Sequence, residues 1–450
     1  MARKRKRGLA GTSHYPSQSP QMKLFPVWLP CLLATAPCLG HSAEPPPVTV
    51  PRATSGDTAA QPDWDERITV TVGHEGADIN GGGYQALQAA IDYVSGLGGG
   101  TINVMPGTYR LRNAIHLRSG VHLIGAGKET VLMKEPSVTT SLAADSDWYD
   151  QEITLTDATG FEVGDGICLR SKDEKTGQET VLKRTLVART GKRFKLDKAL
   201  RENLWQMNQA TVSTLFPILT GEFIDDVTIE NLTLDGNRER NDNLDGNYAG
   251  CIFLQDCNRF NIRSITARNY NGDGISWQIC HDVLVENCVS ENNKGLGLHP
   301  GSGSQRPVIR NNTLSGNDIG LFFCWGVKYG LAEGNTITGN RVGISIGHRD
   351  TDNLVTGNTI NASKAQGILF REERGPSFAG HRNRIEGNTL RDNGPEDGAA
   401  IEIKGGTESI RITGNDIVET RGPAKRVPVR QGPETKDIIV EGNQVNGFAP

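Results

Sequence analysis

Gly330-Leu-Ala-Glu-Gly-Asn-Thr-Ile-Thr-Gly-Asn-Arg-Val-Gly-Ile-Ser-Ile346 contains both parts of a unit that recurs through the second half of the chain. Its last four residues form one of seven short apolar runs, most of them opened by glycine, which start at residues 251, 274, 295, 320, 343, 367 and 400. Successive starts differ by 23, 21, 25, 23, 24 and 33 residues. Periods of roughly 20 to 50 residues are typical of solenoids and other repeat architectures. The spacing therefore predicts a solenoid.

Apolar residues alternate within each short run, as Ile344 and Ile346 do on either side of Ser345. Because successive side chains of a strand point to opposite faces, this alternation predicts strands with one buried face and one outer face. The other part of the unit carries a recurrent asparagine, at positions Asn312, Asn335, Asn358, Asn388, Asn415 and Asn443. Stacked coils would place these amides in one file, about 4.8 Å apart, where each bonds its neighbour and the turn backbone.

The beginning of the predicted solenoid has a signature of its own. Residues 84–97 have the spacing of an amphipathic helix, with Leu87, Ile91 and Val94 on one stripe, and this helix would cap the open end of the solenoid. Gly98-Gly-Gly-Thr-Ile-Asn-Val-Met-Pro-Gly-Thr-Tyr follows directly. This stretch and the later Gly-Asn-Thr coils closely resemble the pectin-lyase-like superfamily, over residues 67–135 and 221–450. The resemblance implies an all-β fold, a single-stranded right-handed parallel β-helix with a capping α-helix.

Composition and pattern divide the chain into five parts. Residues 1–43 are predicted to be a signal or targeting segment, with Met22 as an alternative start, and residues 44–66 a Pro-rich linker. Residues 67–135 form the cap and first coils, residues 136–220 a β-rich insertion, and residues 221–450 the remaining coils. The insertion forms either one wall of a binding groove or a unit packed on the side of the helix. We expect a secreted or periplasmic protein without a transmembrane segment, since no later stretch has 18 apolar residues.

Charge and cysteine content narrow the possible partners. The chain has 48 basic and 52 acidic residues and a net charge of −4, which argues against a nucleic-acid partner. Cys257 and Cys280 occupy equivalent places on adjacent coils and form either two reduced thiols, which we favour, or a disulfide. The Asp- and Asn-rich loop at residues 235–247 could hold Ca²⁺, although a solvated loop is favoured because the EF-hand order fails. No other cofactor and no metal ligands are predicted, and the sequence favours no particular oligomeric state.

The alternation also predicts which residues lie on the outer face of the recurrent strand. A plain solvated surface would carry Lys, Glu, Thr and Ser, whereas this strip carries histidines, arginines and aromatic residues. Aromatic rings suit sugar rings, and arginine suits carboxylate or sulfate groups. We therefore predict a polysaccharide-binding strip. Its predicted binding residues are Phe253, Gln255, Asp256, Gln278, Phe322, Trp325, His348, Glu372, Glu373 and Lys404.

His299, outward in Gly295-Leu-Gly-Leu-His-Pro, is the predicted catalytic base. An imidazole changes its charge near neutral pH and can remove a proton α to a carboxylate. Arg349 or Arg371, on later coils, would neutralise the carboxylate of a uronate residue. Asp273, which precedes one of the strands, would assist as an acid or orient the base. The alternative for the arginines is a surface salt bridge with a neighbouring carboxylate.

The strip partly resembles alginate C5-epimerases and lyases, which combine a histidine with an arginine and an acidic or tyrosine partner. The Asp-Pro-His string of that group is absent, and Tyr248 and Tyr270 fall in turns rather than on the strip. The resemblance implies a polysaccharide lyase or epimerase acting on a uronate-containing glycan. A glycoside hydrolase is the alternative enzyme, using Asp256 with Asp273 or Glu373 with Glu402 as its two carboxyl groups. A non-catalytic carbohydrate-binding or adhesion solenoid is the third possibility.

Overall fold

The structure is a computed structural model that describes residues 66–422 and 425–449. The predicted signal segment and all but the last residue of the predicted linker lie outside the described residues. Three parallel sheets wind around one apolar core, and the chain passes from one sheet to the next in every coil. The repeat predicts a solenoid and the superfamily resemblance implies a parallel β-helix, and both expectations are confirmed. Among the described residues, no helix is long and apolar enough to cross a membrane.

The outer face of one sheet carries the predicted strip, and we call it the site sheet. Its ten strands are, in order, Ile115–His116, Leu219–Glu222, Gly250–Gln255, Asp273–Gln278, Leu296–Gly301, Ile319–Phe322, Val342–Ile346, Gln366–Phe370, Ala399–Ile403 and Val427–Gln431. Each strand pairs in parallel with the equivalent strand of the next coil.

Two further parallel sheets complete each coil. The second sheet contains Ile79–Asn80, Ile68–Gly73, Gly100–Val104, Val121–Ile124, Asp225–Glu230, Asn258–Arg263, Leu284–Glu286, Val308–Arg310, Leu331–Glu333, Leu354–Thr356, Arg384–Glu386, Glu408–Thr413 and Lys436–Glu441. The third sheet contains Gly107–Leu111, Thr130–Lys134, Thr233–Asp235, Thr266–Arg268, Val289–Glu291, Thr313–Ser315, Thr336–Thr338, Thr359–Asn361, Thr389–Arg391, Asp416–Val418 and Gln444–Asn446.

Polar ladders hold the turns between the sheets. Asn335 donates to the side-chain oxygen of Asn358 at 2.8 Å, and Asn358 donates to Asn388 at 2.9 Å. These amides also bond backbone carbonyls inside the wall, so the predicted asparagine file is confirmed. The glycines that open the site-sheet strands have a steric cause. A Cβ on Gly320 would lie 2.8 Å from the carbonyl oxygen of Gly343 on the next coil.

One α-helix, Tyr84–Gly96, lies at the start of the described chain. Leu87, Ile91 and Val94 are buried on its inner face and belong to the same core cluster as the coils. The predicted capping helix is therefore confirmed, and it ends one residue earlier than the sequence suggested.

The predicted insertion is an antiparallel sheet with a core of its own. Its strands, in sheet order, are Thr139–Ser141, Thr211–Ser213, Gly166–Lys172, Glu179–Thr190, Arg193–Leu196 and Glu152–Thr154. Buried residues such as Leu169, Leu186 and Phe194 form its separate apolar cluster. The insertion leaves the solenoid after Lys134 and returns at Leu219, where a coil passes from the third sheet to the site sheet.

Candidate functional site

The parallel register places the predicted strip residues in vertical files on the site sheet. Phe253 pairs with Ser276, and Ser276 pairs with His299. Phe322 continues the same file, because Leu298 pairs with Leu321, and Phe322 in turn pairs with Ser345. Residues distant in the chain are therefore neighbours at the strand spacing of about 4.8 Å.

His299 and Asp273 form a buried pair at the centre of the strip. The Nδ1 atom of His299 lies 2.8 Å from Oδ2 of Asp273, and both side chains are at most 4% exposed. The other carboxylate oxygen of Asp273 accepts the backbone N–H of Leu296 at 2.9 Å. Burial raises the pKa of Asp273, and the hydrogen bond from His299 opposes that rise. The carboxylate of Asp273 thus holds the Nδ1 side of the imidazole ring.

The other ring nitrogen of His299 has no partner. Its Nε2 atom is buried and makes no hydrogen bond within the described part of the chain. An imidazole that donates its Nδ1 proton to a carboxylate carries its lone pair on Nε2. An unpaired buried polar atom is costly, so it is expected chiefly where a ligand completes the bonding.

A cleft of about 620 Å³ surrounds this pair, and we call it the His299 cleft. Besides the pair, its lining includes Asp245, Asn247, Tyr248, Ser302, Phe322 and Trp325. The first three belong to the connection at residues 236–249, which folds over the start of the strand that carries Asp273. Gly246 in this connection has no space for a side chain, because a Cβ there would overlap the Asp273 carboxylate. Ser276 donates to the Gly246 carbonyl at 2.7 Å and thereby ties the connection to the strip.

Arg371 lies on the same face as His299 but is held by other groups. Its guanidinium carbon is 4.4 Å from the centroid of the Phe322 ring, and that ring lies 5.3 Å from the His299 ring. Its nitrogens donate to the Ser345 hydroxyl at 2.9 Å and the Phe323 carbonyl at 3.0 Å. Arg371 therefore contacts His299 only through Phe322.

Two carboxylates balance the charge of Arg371, those of the buried Asp350 and the partly buried Glu373. Asp350 Oδ2 and Glu373 Oε1 each lie 3.4 Å from its guanidinium nitrogens. Burial raises the pKa of Asp350 to about 7, and Arg371 and three backbone N–H groups oppose the rise. Glu373 also lies 3.3 Å from Nδ1 of His348. We call these four residues the Arg371 cluster.

Aromatic rings continue the strip beyond the Arg371 cluster. Trp325 is 57% exposed and stacks on the His348 ring with centroids 4.3 Å apart. Phe378, from the connection after the Gln366–Phe370 strand, packs on the other side, 5.4 Å from His348. The exposed Arg349 covers Phe378 at 4.2 Å. Arg349 thus lies against this platform rather than in the His299 cleft.

Several predicted binding residues lie away from the pair. Phe253 is fully buried beneath the ammonium group of Lys183, which is 4.0 Å from its ring centroid. Gln278 is buried beside Ser276, to which it donates at 3.1 Å. Lys404 lies 3.5 Å from Glu402, on the far side of the Arg371 cluster.

Other predicted residues lie at the far ends of the site-sheet strands, away from the His299–Asp273 pair. Asp273 pairs with Gly250, six residues before Asp256, so the two carboxylates lie roughly 20 Å apart. That separation is too large for the pair of acids that we considered for a hydrolase, which needs about 5 to 9.5 Å. Gln255 and Glu372 also lie at or beyond the strand ends, and Glu372 is exposed.

A family described as "Right handed beta helix region" matches residues 250–422. The chain is a right-handed parallel β-helix protein. ORF18 of Geobacillus virus E2 is 14% identical with a TM-score of 0.52, and the match covers 83% of this chain and 62% of the viral chain. A protein named glycoside hydrolase is 12% identical with a TM-score of 0.50, covering 85% and 96%. No curated protein sequence matches.

The A-module of mannuronan C-5 epimerase AlgE6 from Azotobacter vinelandii is also similar to this β-helix protein. It is 17% identical with a TM-score of 0.46, and the match covers 82% of this chain and 95% of that module. At such identities the two likenesses with TM-scores of 0.50 and 0.52 show the fold alone. The chemistry of this β-helix must therefore be argued from its own residues.

Tyr248 is the site residue that sequence reasoning missed in this β-helix. Alternation describes strand faces, and Tyr248 lies in the connection at residues 236–249, which then folds back over the strip. Burial raises the pKa of Tyr248, and Asp245 adds to the rise. The unusual length of this connection was the available signal. In the described chain, no group of three or more His, Cys, Asp or Glu side chains is placed to hold a metal ion.

Proposed function

We propose that this protein acts on a uronate-containing polysaccharide as a lyase or C5-epimerase, with His299 as the base. The observation that carries the proposal is the unpaired Nε2 atom of His299, opposite an Nδ1 atom held 2.8 Å from Asp273. This arrangement leaves a lone pair directed away from the carboxylate that stabilises the protonated ring. General bases of this kind accelerate proton transfer by about 10² to 10⁴-fold.

The reaction begins with transfer of the C5 proton of a uronate residue to Nε2 of His299. The electron pair of the broken C–H bond moves into the adjacent carboxylate. In elimination, that pair forms the C4–C5 double bond while the C4–O bond breaks and the departing oxygen takes up a proton. In epimerisation, a proton returns to C5 from the opposite face. Tyr248 lines the same cleft and is our candidate for the second proton transfer.

The structure changes the role that we propose for the arginines. Neither Lys nor Arg lines the His299 cleft within the described chain. The donors available to a uronate carboxylate there are the Asn247 amide and the hydroxyls of Tyr248 and Ser302. We therefore propose that hydrogen bonds hold the reacting carboxylate, and that Arg371 packs against Phe322 without contacting the substrate.

A glycoside hydrolase remains the second candidate, and one observation favours it. Asp245 and Asp273 line the same cleft, and Asp245 contributes to the raised pKa of Asp273. A carboxyl group with a raised pKa beside an exposed carboxylate is the pattern of an acid and its partner. In this mechanism Asp273 would donate the proton and His299 would orient Asp273.

A panel of uronic and sulfated glycans in deuterated buffer separates these reactions. A lyase gives an unsaturated uronide that absorbs ultraviolet light, and an epimerase incorporates deuterium at C5 without cleaving the chain. A hydrolase gives reducing ends, with neither an unsaturated product nor deuterium at C5. We expect His299→Gln to lower the lyase or epimerase rate by about 10² to 10⁴-fold.

His348→Gln is the matched control, because His348 also has its Nδ1 atom beside a carboxylate. It should keep the rate within a few-fold. Retained activity in His299→Gln would show that His299 is not the base. Reducing ends alone would favour the hydrolase, and glycan retention without any product would exclude both enzymes.

A further inference from the structure

The insertion and the site sheet enclose a second cleft, of about 700 Å³, which we call the insertion cleft. Its walls are the insertion strand Glu179–Thr190 and the site-sheet strands Leu219–Glu222 and Gly250–Gln255. Asn247 and Tyr248 line both this cleft and the His299 cleft. The two clefts therefore adjoin, and the insertion forms one wall of the groove rather than a unit packed elsewhere.

Lys183 is the central cation of the insertion cleft. Its ammonium nitrogen lies 4.0 Å from the Phe253 ring centroid and 4.0 Å from its nearest carboxylate, that of Glu222. It makes no hydrogen bond to any group in the described residues, and burial lowers its pKa to about 8. A cation–π contact stabilises such an ammonium group without neutralising its charge.

The other charged groups of this cleft differ in how far they are neutralised. Arg118 is paired with Asp92 at 3.0 Å, and the Arg184 guanidinium donates to the carbonyls of Ala199 and Leu200. Lys198 is exposed and has no ion pair in the described chain. Asp197 and Glu222 both line the cleft, and these two carboxylates do not balance the three cations Lys183, Arg184 and Lys198, so the cleft keeps a net positive charge.

Thr220 is an independent indication that this cleft takes a ligand. Its side chain is 5% exposed, and its hydroxyl oxygen has no hydrogen-bond partner among the described residues. Thr220 pairs with Phe253 and so belongs to the same outward file as His299. Phe223 lies at the mouth of the cleft, 77% exposed and in a left-handed conformation with φ of 55°. An exposed ring of this kind suits the face of a sugar.

We propose that the insertion cleft binds an acidic group, a carboxylate or a sulfate ester, on a sugar of the same polysaccharide that reacts at His299. This rests on the proposed function. Phe253, beneath Lys183, is two strand spacings from His299, so the bound group lies about 10 Å along the groove from the reacting residue. The positive charge that the His299 cleft lacks is thus supplied by the neighbouring cleft, and the protein selects polyanionic chains rather than isolated uronates.

Binding is measured by affinity electrophoresis and calorimetry in the His299→Gln background, where turnover does not intervene. The ligands are a uronate polymer, its carboxyl-reduced form and a sulfated polymer without uronate. We expect the double change Lys183→Gln with Lys198→Gln to weaken binding of the uronate polymer by about tenfold or more, because two charge-assisted contacts are lost. If the sulfated polymer also binds, and the double change weakens its binding by the same factor, then sulfate is an accepted group.

Lys195→Gln is the matched control, since Lys195 is exposed on the insertion and outside this cleft. Thr220→Val keeps the volume of the side chain and should weaken binding without removing charge. It replaces the double variant as the test if that variant folds poorly. Equal effects of the double variant and Lys195→Gln would overturn the proposal. If the wild-type protein is active but the double variant binds the uronate polymer normally, only the proposed role of the insertion cleft is refuted. If the wild-type protein is inactive but the double variant binds more weakly, only the His299 mechanism is refuted.

Discussion

Two histidine–carboxylate pairs lie on the same face of this β-helix, and they differ in whether the second ring nitrogen is buried. Asp273 holds His299 at 2.8 Å, and the Nε2 atom of that ring is buried with no hydrogen-bond partner among the described residues. Glu373 lies 3.3 Å from His348, bonds its backbone N–H and also contacts Arg371, while Trp325 covers the ring. The first pair is chemically incomplete and faces a cleft. In the second pair, Nε2 of His348 makes no hydrogen bond among the described residues either, but it is not a buried unpaired atom, and Glu373 is shared with Arg371. This is the pattern of a structural cluster.

The comparison teaches that residue type alone does not identify a reactive histidine. Both residues were predicted to lie on the outer strip, and both do. Burial of the unpaired Nε2 atom distinguishes them, because a buried group that lacks a partner gains most from a bound ligand. Three predictions test this distinction.

The largest effect is expected from Asp273→Asn. The amide would donate to Nδ1 of His299 and hold the ring with its proton on Nε2, the wrong tautomer for a base. Replacing an orienting carboxylate by an amide can lower kcat by about 10⁴-fold. The measurement is the initial rate on the glycan that the wild-type protein converts.

Glu373→Gln is the counterpart in the second pair, and we expect its rate per folded molecule to stay within a few-fold of wild type. If the two changes lower the rate equally, the distinction between a reactive and a structural pair fails.

Arg371→Met should mainly lower stability. The change leaves the carboxylates of Asp350 and Glu373 buried without their cation, which costs about 3–5 kcal/mol in the free energy of unfolding. Urea unfolding at pH 8 measures the loss. Arg349→Met removes an exposed arginine with no carboxylate partner in the described chain and should cost less than about 1 kcal/mol. Similar losses would contradict the role of Arg371 as the balancing charge.

Asp350 makes the stability of the Arg371 cluster depend on pH. Because burial raises its pKa from 3.8 to about 7, the folded state binds more protons than the unfolded state between these values. Stability contributed by this group is therefore present below about pH 4 and is lost as the pH rises towards 7. Compared with Asp350→Asn, the wild type should lose roughly 2–4 kcal/mol of unfolding free energy over this range. Parallel pH profiles of the two proteins would exclude this.

Local periodicity predicted the fold because each coil repeats the same physical constraints. Alternation placed Ser276, His299 and Phe322 in one outward file, and the asparagine spacing predicted the ladder. Parallel pairing with an in-register step leaves little freedom once the strands are located. The free thiols of Cys257 and Cys280 also agree with the reading that we favoured.

The site was only partly predictable, because three of its properties depend on contacts outside the strands. Tyr248 reaches the cleft through a connection with no repeat pattern. Lys183 covers Phe253 from the insertion, so a residue predicted to contact sugar is instead a buried floor. Arg371 has the predicted orientation, but two carboxylates compensate its charge. Alternation predicts the face of the sheet to which a side chain points, but not how deeply the side chain is buried or which charges surround it.

Both walls of the groove near His299 leave the solenoid at one corner, where a coil passes from the third sheet to the site sheet. The insertion follows Lys134, and the connection at residues 236–249 follows the next coil. Elsewhere the same corner is short, as between Arg268 and Asp273. The coils stack in the same way whatever segment protrudes at this corner. Replacing one protruding segment would therefore change the substrate preference while the β-helix and the His299–Asp273 pair stay unchanged.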